Sequence, residues 1–251
     1  MDIHLGRGNA NKIMNRLIAD CENHNLRIAE IDGGSLRNAI PRESFGIITA
    51  KESYLADFES RSTDIKSEHS IADSGLEINI EEVELPQSVA CAVDAAKITN
   101  SVRAMHNGVF AMSMAIDGLV ETSSSLSRVI VKDGKFITQS LQRSSVDTAK
   151  MDVAHTIGAV FKLMGCEVEH TGSYPGWSPN PKSEILDLMI DKYKSTFNED
   201  PKVQSCHAGL ECGILGEKLP GVDMISFGPT IRNPHSPDEK VKIDTVDKFW
   251  H

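Results

Sequence analysis

The stretch V-D-M-I-S-F-G-P-T-I-R-N-P-H-S-P-D-E, residues 222–239, is the starting point for predicting the fold. It opens as a short apolar run that ends in glycine, a pattern typical of a buried strand in a parallel sheet. It continues as a loop with three prolines, and His235 lies between the last two. Ligands of doubly wound sheets bind beyond the carboxyl ends of the strands, and proline restricts the backbone of such a loop. We therefore predict that His235 is a site residue, the alternative being a surface histidine in a polar loop.

The residues before and after this stretch alternate between strand and helix patterns. The predicted order is strand 166–171, helix 183–197, strand 203–206, helix 209–217, strand 222–227 and a helix that begins near Asp244. This β-α-β-α-β-α order is that of a doubly wound sheet. The last third of the chain is therefore predicted to be α/β.

Two further side chains are predicted to lie near His235. His207 follows the end of strand 203–206, and Glu211 comes four residues later, on the same side of a short helix. Histidine nitrogen and carboxylate oxygen are zinc ligands, so a metal site is possible here. The site is incomplete, because a catalytic zinc needs three protein ligands and the chain has no H-E-x-x-H motif.

The first ~170 residues have a different pattern, in which antiparallel strands alternate with helices packed on one face, as in α+β folds. Asn9 is the predicted N-cap of the first helix. Asp133-Gly134 is the predicted turn of a hairpin. The predicted elements are helix 10–25, strands 26–31 and 45–49, helix 51–70, strand 76–81, helix 88–105, and helix 147–164. Strand is also predicted from Leu119 onward, with a hairpin of 129–131 and 136–138 whose returning strand continues to Arg143.

Two polar residues of this part are candidates for ligand binding. Arg143 lies on the same face of its strand as Ile137 and Leu141, because side chains alternate along a strand. An arginine in phase with apolar residues needs a partner, either an internal carboxylate or the carboxylate of a ligand. Asn38 lies near a glycine turn, where composition alone favours a turn residue.

Composition excludes several classes of protein. The 251 residues are 40% hydrophobic and 25% charged, as in globular proteins. A net charge of −10 argues against a nucleic-acid partner and against an anionic membrane surface. We expect neither a membrane span nor a signal peptide. The five cysteines include no C-x-x-C motif, which favours a reduced, cytoplasmic protein.

Six motifs together resemble one family, the aminoacyl-histidine dipeptidases, also called Xaa-His or cytosol non-specific dipeptidases. This family is grouped with the carnosinases and the carboxypeptidase G-like di-zinc metallopeptidases. The motifs are G-R-G-N-A-N-K (6–12), D-G-G-S-L-R-N-A-I-P-R-E (32–43), Q-S-L-Q-R-S-S (139–145), T-G-S-Y-P-G-W (171–177), C-H-A-G-L-E-C-G (206–213) and N-P-H-S-P-D-E (233–239). The resemblance implies hydrolysis of dipeptides by a catalytic domain with two zinc ions, interrupted by a lid domain that also forms a homodimer.

By this resemblance, residues 1–173 are the lid and dimerisation domain, and residues 174–251 are the second half of the doubly wound catalytic domain. The first strand of that half would begin near residue 166. The resemblance also implies individual roles. His235 matches the last zinc ligand. Asn38 and Arg143 match lid residues that hold the substrate, and the residue matched by Arg143 binds the terminal carboxylate of the substrate. Gly209 and Glu211 match the loop that shapes the substrate pocket, and His207 borders that loop.

Several family motifs have no match in this chain. The H-x-D metal motif, the Glu-Glu pair that supplies the general base, and the bridging aspartate all precede the lid in the family. We therefore expect a fragment of a metallo-dipeptidase that is inactive alone. The alternative is a non-catalytic lid and dimerisation protein derived from such an enzyme; an unrelated nucleotide-binding protein is disfavoured because no phosphate loop is present.

Overall fold

The protein was analysed as a computed structural model that describes residues 3–178, 180, 182–205, 210–234 and 238–250. The chain divides into two compact units. Among the described residues, the first unit comprises 3–178 and Ser205, and the second comprises 180, 182–204, 210–234 and 238–250. Within these ranges, no helix combines the length and the apolar content that crossing a membrane requires.

The first unit contains four α-helices and five strands in its described part. In chain order these are α1 (Ala10–Ile18), β1 (Arg27–Gly33), β2 (Ser44–Thr49), α2 (Tyr54–His69), α3 (Ala92–Ala104), β3 (Gly108–Met112), β4 (Val120–Lys132), β5 (Lys135–Ser144) and α4 (Asp147–Met164). A 3₁₀ turn, Glu22–His24, follows α1.

The five strands form one antiparallel sheet organised around the long strand β4. β5 pairs with β4 from Thr122 to Lys132. The registers put β3 beside the first part of β4 and β1 beside its last part, on the edge that β5 leaves free. β2 pairs with β1. The predicted α+β organisation of this part is confirmed.

The hairpin between β4 and β5 has the predicted Asp-Gly turn. Asp133 has φ 51° and Gly134 has φ 71°. Positive φ at both central residues is the requirement of a type I′ turn, whose twist matches that of the flanking strands. This turn sets the register from Lys135 to Gln139, and a β-bulge between Leu126 and Arg128 then shifts the pairing so that Arg143 lies opposite Ser123.

The hydrophobic core lies between one face of the sheet and the helices. Ile28 and Leu126 are fully buried in the sheet, and Val102 and Val153 are 2% and 1% exposed on α3 and α4. Full burial of such a side chain contributes about 1.5–3 kcal/mol. Apart from Cys212, every buried hydrophobic residue in the described ranges belongs to the first unit.

Two polar side chains fix the position of α1. Asn9 is its N-cap, as predicted, and accepts hydrogen bonds from the backbone N–H groups of Asn11 and Lys12. The Asn9 amide also donates to the carbonyl of Leu126, which ties the helix start to β4. Lys12 Nζ donates to the carbonyl oxygens of Val102 and Met105, both at 2.6 Å, and so caps the end of α3.

The second unit contains α5 (Glu184–Phe197), α6 (Leu210–Lys218), β6 (Ile231–Arg232), β7 (Lys240–Val241) and α7 (Asp244–Trp250). These helices confirm the three that the sequence predicts here. Ser183 caps α5 and donates to Asp223 Oδ2 at 2.8 Å. Lys248 of α7 reaches Glu199 at 2.6 Å and so links α7 to the end of α5.

The strand predictions succeed only in part. The prediction of a strand at 76–81 is wrong, and strand β3 has no counterpart among the predicted elements. Segments 166–171 and 222–227 and the described residues 203–205 form no strand ladder. Val222 and Phe227, predicted to be buried, are 51% and 62% exposed. A strand of a parallel sheet requires neighbouring strands and helices on both faces, and the described residues supply neither here. The mixed α/β class itself is confirmed.

Candidate functional site

A groove of about 540 Å³ in the first unit contains one of the predicted site residues, Arg143. One wall is strand β5 from Phe136 to Ser144, and the opposite wall is the segment 166–175. The inner face of α4 and the side chain of Arg37 complete it. The groove therefore combines an apolar helix face with several charged side chains.

β5 exposes an unpaired edge to this groove. Within the described residues it pairs with β4 alone, so its other edge has no ladder partner. Unpaired backbone N–H and C=O groups on an edge strand can bind another extended peptide or polar groups of a ligand. The groove thus offers backbone as well as side-chain hydrogen-bonding groups.

Arg143 lies where the two-residue period predicts it. Its Cα is opposite that of Ser123, its side chain is half-buried, and it shares a face with Ile137 and Leu141. No hydrogen bond or ion pair joins its guanidinium to any other residue in the described part of the chain. No described carboxylate therefore supports the internal salt-bridge alternative. Ser125, on the same face, has a buried hydroxyl without a described hydrogen-bond partner.

Asn38 lies in an exposed turn that follows β1. The turn is closed by a hydrogen bond from the N–H of Ala39 to the carbonyl of Leu36, at 3.2 Å. The hydroxyl of Ser127 in β4 donates to the carbonyl of Arg37, at 2.6 Å. Arg37, next to Asn38, lines the groove, whereas Asn38 itself does not. Asn38 is thus a turn residue, as composition favours. Its predicted role in ligand binding stays a prediction.

The wall opposite β5 is attached to the start of α4. Asp147 Oδ1 accepts hydrogen bonds from Lys150 Nζ at 2.7 Å and from the N–H of Gly176 at 2.9 Å. Lys150 also donates to the carbonyl of Tyr174 at 2.5 Å. Burial raises the pKa of Asp147, but these two hydrogen bonds lower it more, so the pKa lies below its ordinary value. Asp147 is therefore a carboxylate at neutral pH and holds residues 174–176 in place.

The other predicted site residues lie elsewhere in the chain. Glu211 is an exposed residue in the first turn of α6, in the second unit. His207, Gly209 and His235 lie outside the described residues. The first unit thus brings Arg143 together with the neighbour of Asn38, and these four remaining predictions stay untested.

The described residues do not provide a metal centre. They include no group of three or more histidine, cysteine, aspartate or glutamate side chains that could hold an ion. A catalytic zinc site needs three protein ligands.

Sequence reasoning missed Arg37 and Asp147. Arg37 contacts Thr171, and the two residues are separated by 134 positions, so no local pattern could predict the contact. For Asp147, the signal was its position in the first turn of a predicted helix, where a carboxylate can accept hydrogen bonds from backbone N–H groups. Both residues contact the T-G-S-Y-P-G-W motif, one of the six motifs that resemble the dipeptidase family.

Comparisons with known proteins agree with the motifs. A family model for the Peptidase dimerisation domain matches residues 1–72. The cytosol non-specific dipeptidase of Escherichia coli (strain K12) is 37% identical over 254 residues, which cover 99% of this chain and 52% of that protein. The crystal structure of aminoacylhistidine dipeptidase from Vibrio alginolyticus matches with a TM-score of 0.87 and 40% identity, covering 99% of this chain and 52% of that one.

These matches run along nearly the whole chain, but the chain spans about half the length of the relatives it matches. The solved dipeptidase is thus similar to this chain in sequence as well as in fold over the matched part. The resemblance to the aminoacyl-histidine dipeptidases, predicted from six motifs, is therefore confirmed over 99% of this chain.

Proposed function

We propose that this chain is part of a metallo-dipeptidase that hydrolyses the peptide bond of dipeptides, of Xaa-His type and more broadly. The observation that carries the proposal is Arg143, a half-buried arginine that lines a groove and has no described ion-pair partner. A guanidinium binds a carboxylate through two parallel hydrogen bonds, and every free dipeptide has a terminal carboxylate. The relatives of this chain are dipeptidases.

In this proposal Arg143 binds the terminal carboxylate of the dipeptide and Asn38 contributes its side-chain amide. His207, Gly209 and Glu211 shape the pocket around the rest of the substrate. His235 is the one metal ligand that this chain supplies. The arrangement resembles a clamp, because the residues that hold the substrate come from different elements of the chain.

We call a dipeptidase that contains this chain and has the length of its relatives the complete enzyme. Two zinc ions are the proposed cofactors of the complete enzyme. Bound zinc would supply a hydroxide nucleophile at neutral pH by lowering the pKa of water. The general base and most of the ligands have no match in this sequence. Loss of a general base alone reduces the rate by about 10²–10⁴-fold. We therefore propose that the chain is inactive alone.

We further propose a homodimer formed through the lid and a cytoplasmic location. The match of residues 1–72 to the Peptidase dimerisation domain supports the first. The name of the Escherichia coli relative, a cytosol dipeptidase, supports the second. Domain limits of 1–173 and 174–251 belong to the same proposal.

One experiment tests activity. The purified chain is incubated with zinc and an Xaa-His dipeptide such as carnosine, and histidine release is followed beside a His235→Ala control. We expect both proteins to show no release above buffer. Zinc-dependent release that the control lacks would show that the chain is sufficient for catalysis, which contradicts the inactivity proposal and supports the dipeptidase assignment.

A second experiment tests the role of Arg143 in the complete enzyme. Arg143→Lys keeps the charge but loses the planar fork, so we expect weaker dipeptide turnover with little change in Tm. Loss of stability with unchanged kinetics would instead identify Arg143 as a structural ion-pair partner.

A non-catalytic lid and dimerisation protein is the second candidate. Its support is that nearly all buried hydrophobic residues in the described ranges belong to the first unit, which includes most of the residues matched by the dimerisation model. The genomic sequence upstream of the codon for Met1 distinguishes the two. An in-frame extension that encodes H-x-D and Glu-Glu favours the dipeptidase, and a stop codon favours the remnant.

A further inference from the structure

Arg37 contacts strand β4 through its backbone and the groove wall 166–175 through its side chain. Its carbonyl accepts a hydrogen bond from Ser127 in β4, at 2.6 Å, which fixes the backbone beside Asn38. Its side chain extends to the opposite wall, where Nη1 donates to Thr171 Oγ1 at 3.4 Å. One residue therefore joins the Asn38 turn to the segment that faces β5.

Gly172 provides the space for this contact. A Cβ at residue 172 would lie 2.8 Å from Nη2 of Arg37, so the end of that flexible side chain would have to shift. The φ of Gly172 is +66°, a conformation that side chains other than glycine rarely adopt. Glycine at position 172 thus leaves room for the guanidinium of Arg37 beside the wall.

The remaining contacts of this wall lead to α4 and to the end of β5. Residues 174–176 are held by Asp147 and Lys150, and Ser178 donates to the carbonyl of Ser145. Neither contact reaches the Asn38 turn. Within the described residues, the hydrogen bond of Arg37 to Thr171 is the side-chain bond that joins this turn to the wall.

We propose that Arg37 is a positioning residue of the substrate groove. It holds the Asn38 turn against the Thr171–Gly172 wall, and this fixes the width of the groove in which Arg143 receives a carboxylate. Geometry within fractions of an ångström determines how well a clamp binds, so loosening this link weakens binding without removing a ligand contact. This inference rests on the proposed role of Arg143 in substrate binding, and it adds Arg37 to the residues of the proposed substrate site.

The test uses the full chain labelled with ¹⁵N and titrated with Gly-His, and it follows the Nε signal of Arg143. The variants are Arg37→Met, which keeps the aliphatic stem, and Thr171→Val, which removes only the acceptor hydroxyl. Arg128→Met is the matched control, because Arg128 contacts the start of the same loop at the carbonyl of Ser35 but does not line the groove.

We expect both Arg37→Met and Thr171→Val to weaken Gly-His binding about two- to tenfold, the effect of one lost hydrogen bond. The Arg128→Met control and the Tm values should stay near wild type. Thr171→Val is decisive, because it lies outside the turn and acts only through Arg37. Weakening by Arg37→Met alone, or by neither variant, would overturn the positioning role.

Amide exchange separates this inference from the proposed function. The N–H of Ala39 closes the Asn38 turn, so Thr171→Val should accelerate its exchange about two- to tenfold, while Gly176 stays unchanged. If wild type does not bind Gly-His, the carboxylate role of Arg143 fails, and accelerated exchange at Ala39 still supports the link. Unchanged exchange at Ala39 overturns the link whatever the binding result.

Discussion

The helices α4 and α5 have similar sequence patterns but different surroundings. α4, in the first unit, buries Val153, Ala154, Ile157, Gly158 and Phe161. α5, in the second unit, has 14 residues and buries none of them, and Leu188 is 56% exposed. A helix with an apolar stripe requires a surface to pack against, and helical stability in proteins comes mostly from that packing. The first unit supplies such a surface, and the described part of the second does not.

The largest expected effect follows from this contrast. Ile28→Ala removes a fully buried side chain from the core of the first unit and should lower the free energy of unfolding by about 2–5 kcal/mol. Leu188→Ala, the matched change on α5, should alter it by less than about 0.5 kcal/mol because the side chain is exposed. Chemical denaturation followed by circular dichroism measures both. Equal losses of unfolding free energy in the two variants would show that Leu188 of α5 packs in a hydrophobic core, which would contradict the difference between α4 and α5.

A smaller effect is expected at Lys12, which caps α3. Lys12→Met leaves the carbonyls of Val102, Arg103 and Met105 without their donor and should cost about 1–3 kcal/mol at pH 7. The free energy of unfolding of wild type and variant is compared by urea denaturation. Arg16→Met, on the exposed side of α1, is the control and should cost less than about 1 kcal/mol.

The pH dependence of Lys12 has a definite sign. Burial lowers the pKa of Lys12 from an ordinary 10.5 to about 8. Between these values the unfolded chain binds more protons than the folded chain, so the contribution of Lys12 to stability rises with pH and falls as pH drops through 8. The difference in stability between wild type and Lys12→Met should therefore grow from pH 8 to pH 10. A difference that shrinks over this range would contradict the depressed pKa.

The smallest effect is expected at the start of α5. Ser183→Ala removes the N-cap and the hydrogen bond to Asp223, which should destabilise the first turn of α5 by about 1 kcal/mol. The main unfolding transition, which reports the first unit, should not move. Amide exchange at Leu186, whose N–H donates to Ser183 Oγ, measures the local change. A shift of the main transition would indicate that the units unfold together.

The sequence predicts some elements well because their causes are local. The bounds of α4 agree with the predicted 147–164, and the Asp133-Gly134 turn fixes the register of β4 and β5 as far as the β-bulge between Leu126 and Arg128. The face of Arg143 follows from the same two-residue period. These features depend on neighbouring residues alone.

Other elements depend on distant partners and could not be predicted in this way. Segment 222–227 has the composition of a strand, but no neighbouring strand pairs with it in the described ranges. The short strand β3, Gly108–Met112, lacks a clear alternation and forms because β4 lies beside it. The contact of Arg37 with Thr171 depends on the fold of the whole first unit.

The most direct test of the contrast between the units is amide hydrogen exchange of the intact chain, compared between α4 and α5. Exchange protection ranges from almost none in exposed elements to the full stability of the protein in the core. We expect the amides of 153–161 in α4 to exchange orders of magnitude more slowly than those of 188–196 in α5. Equal protection of the two helices would contradict the conclusion that, among the described residues, the core belongs to the first unit.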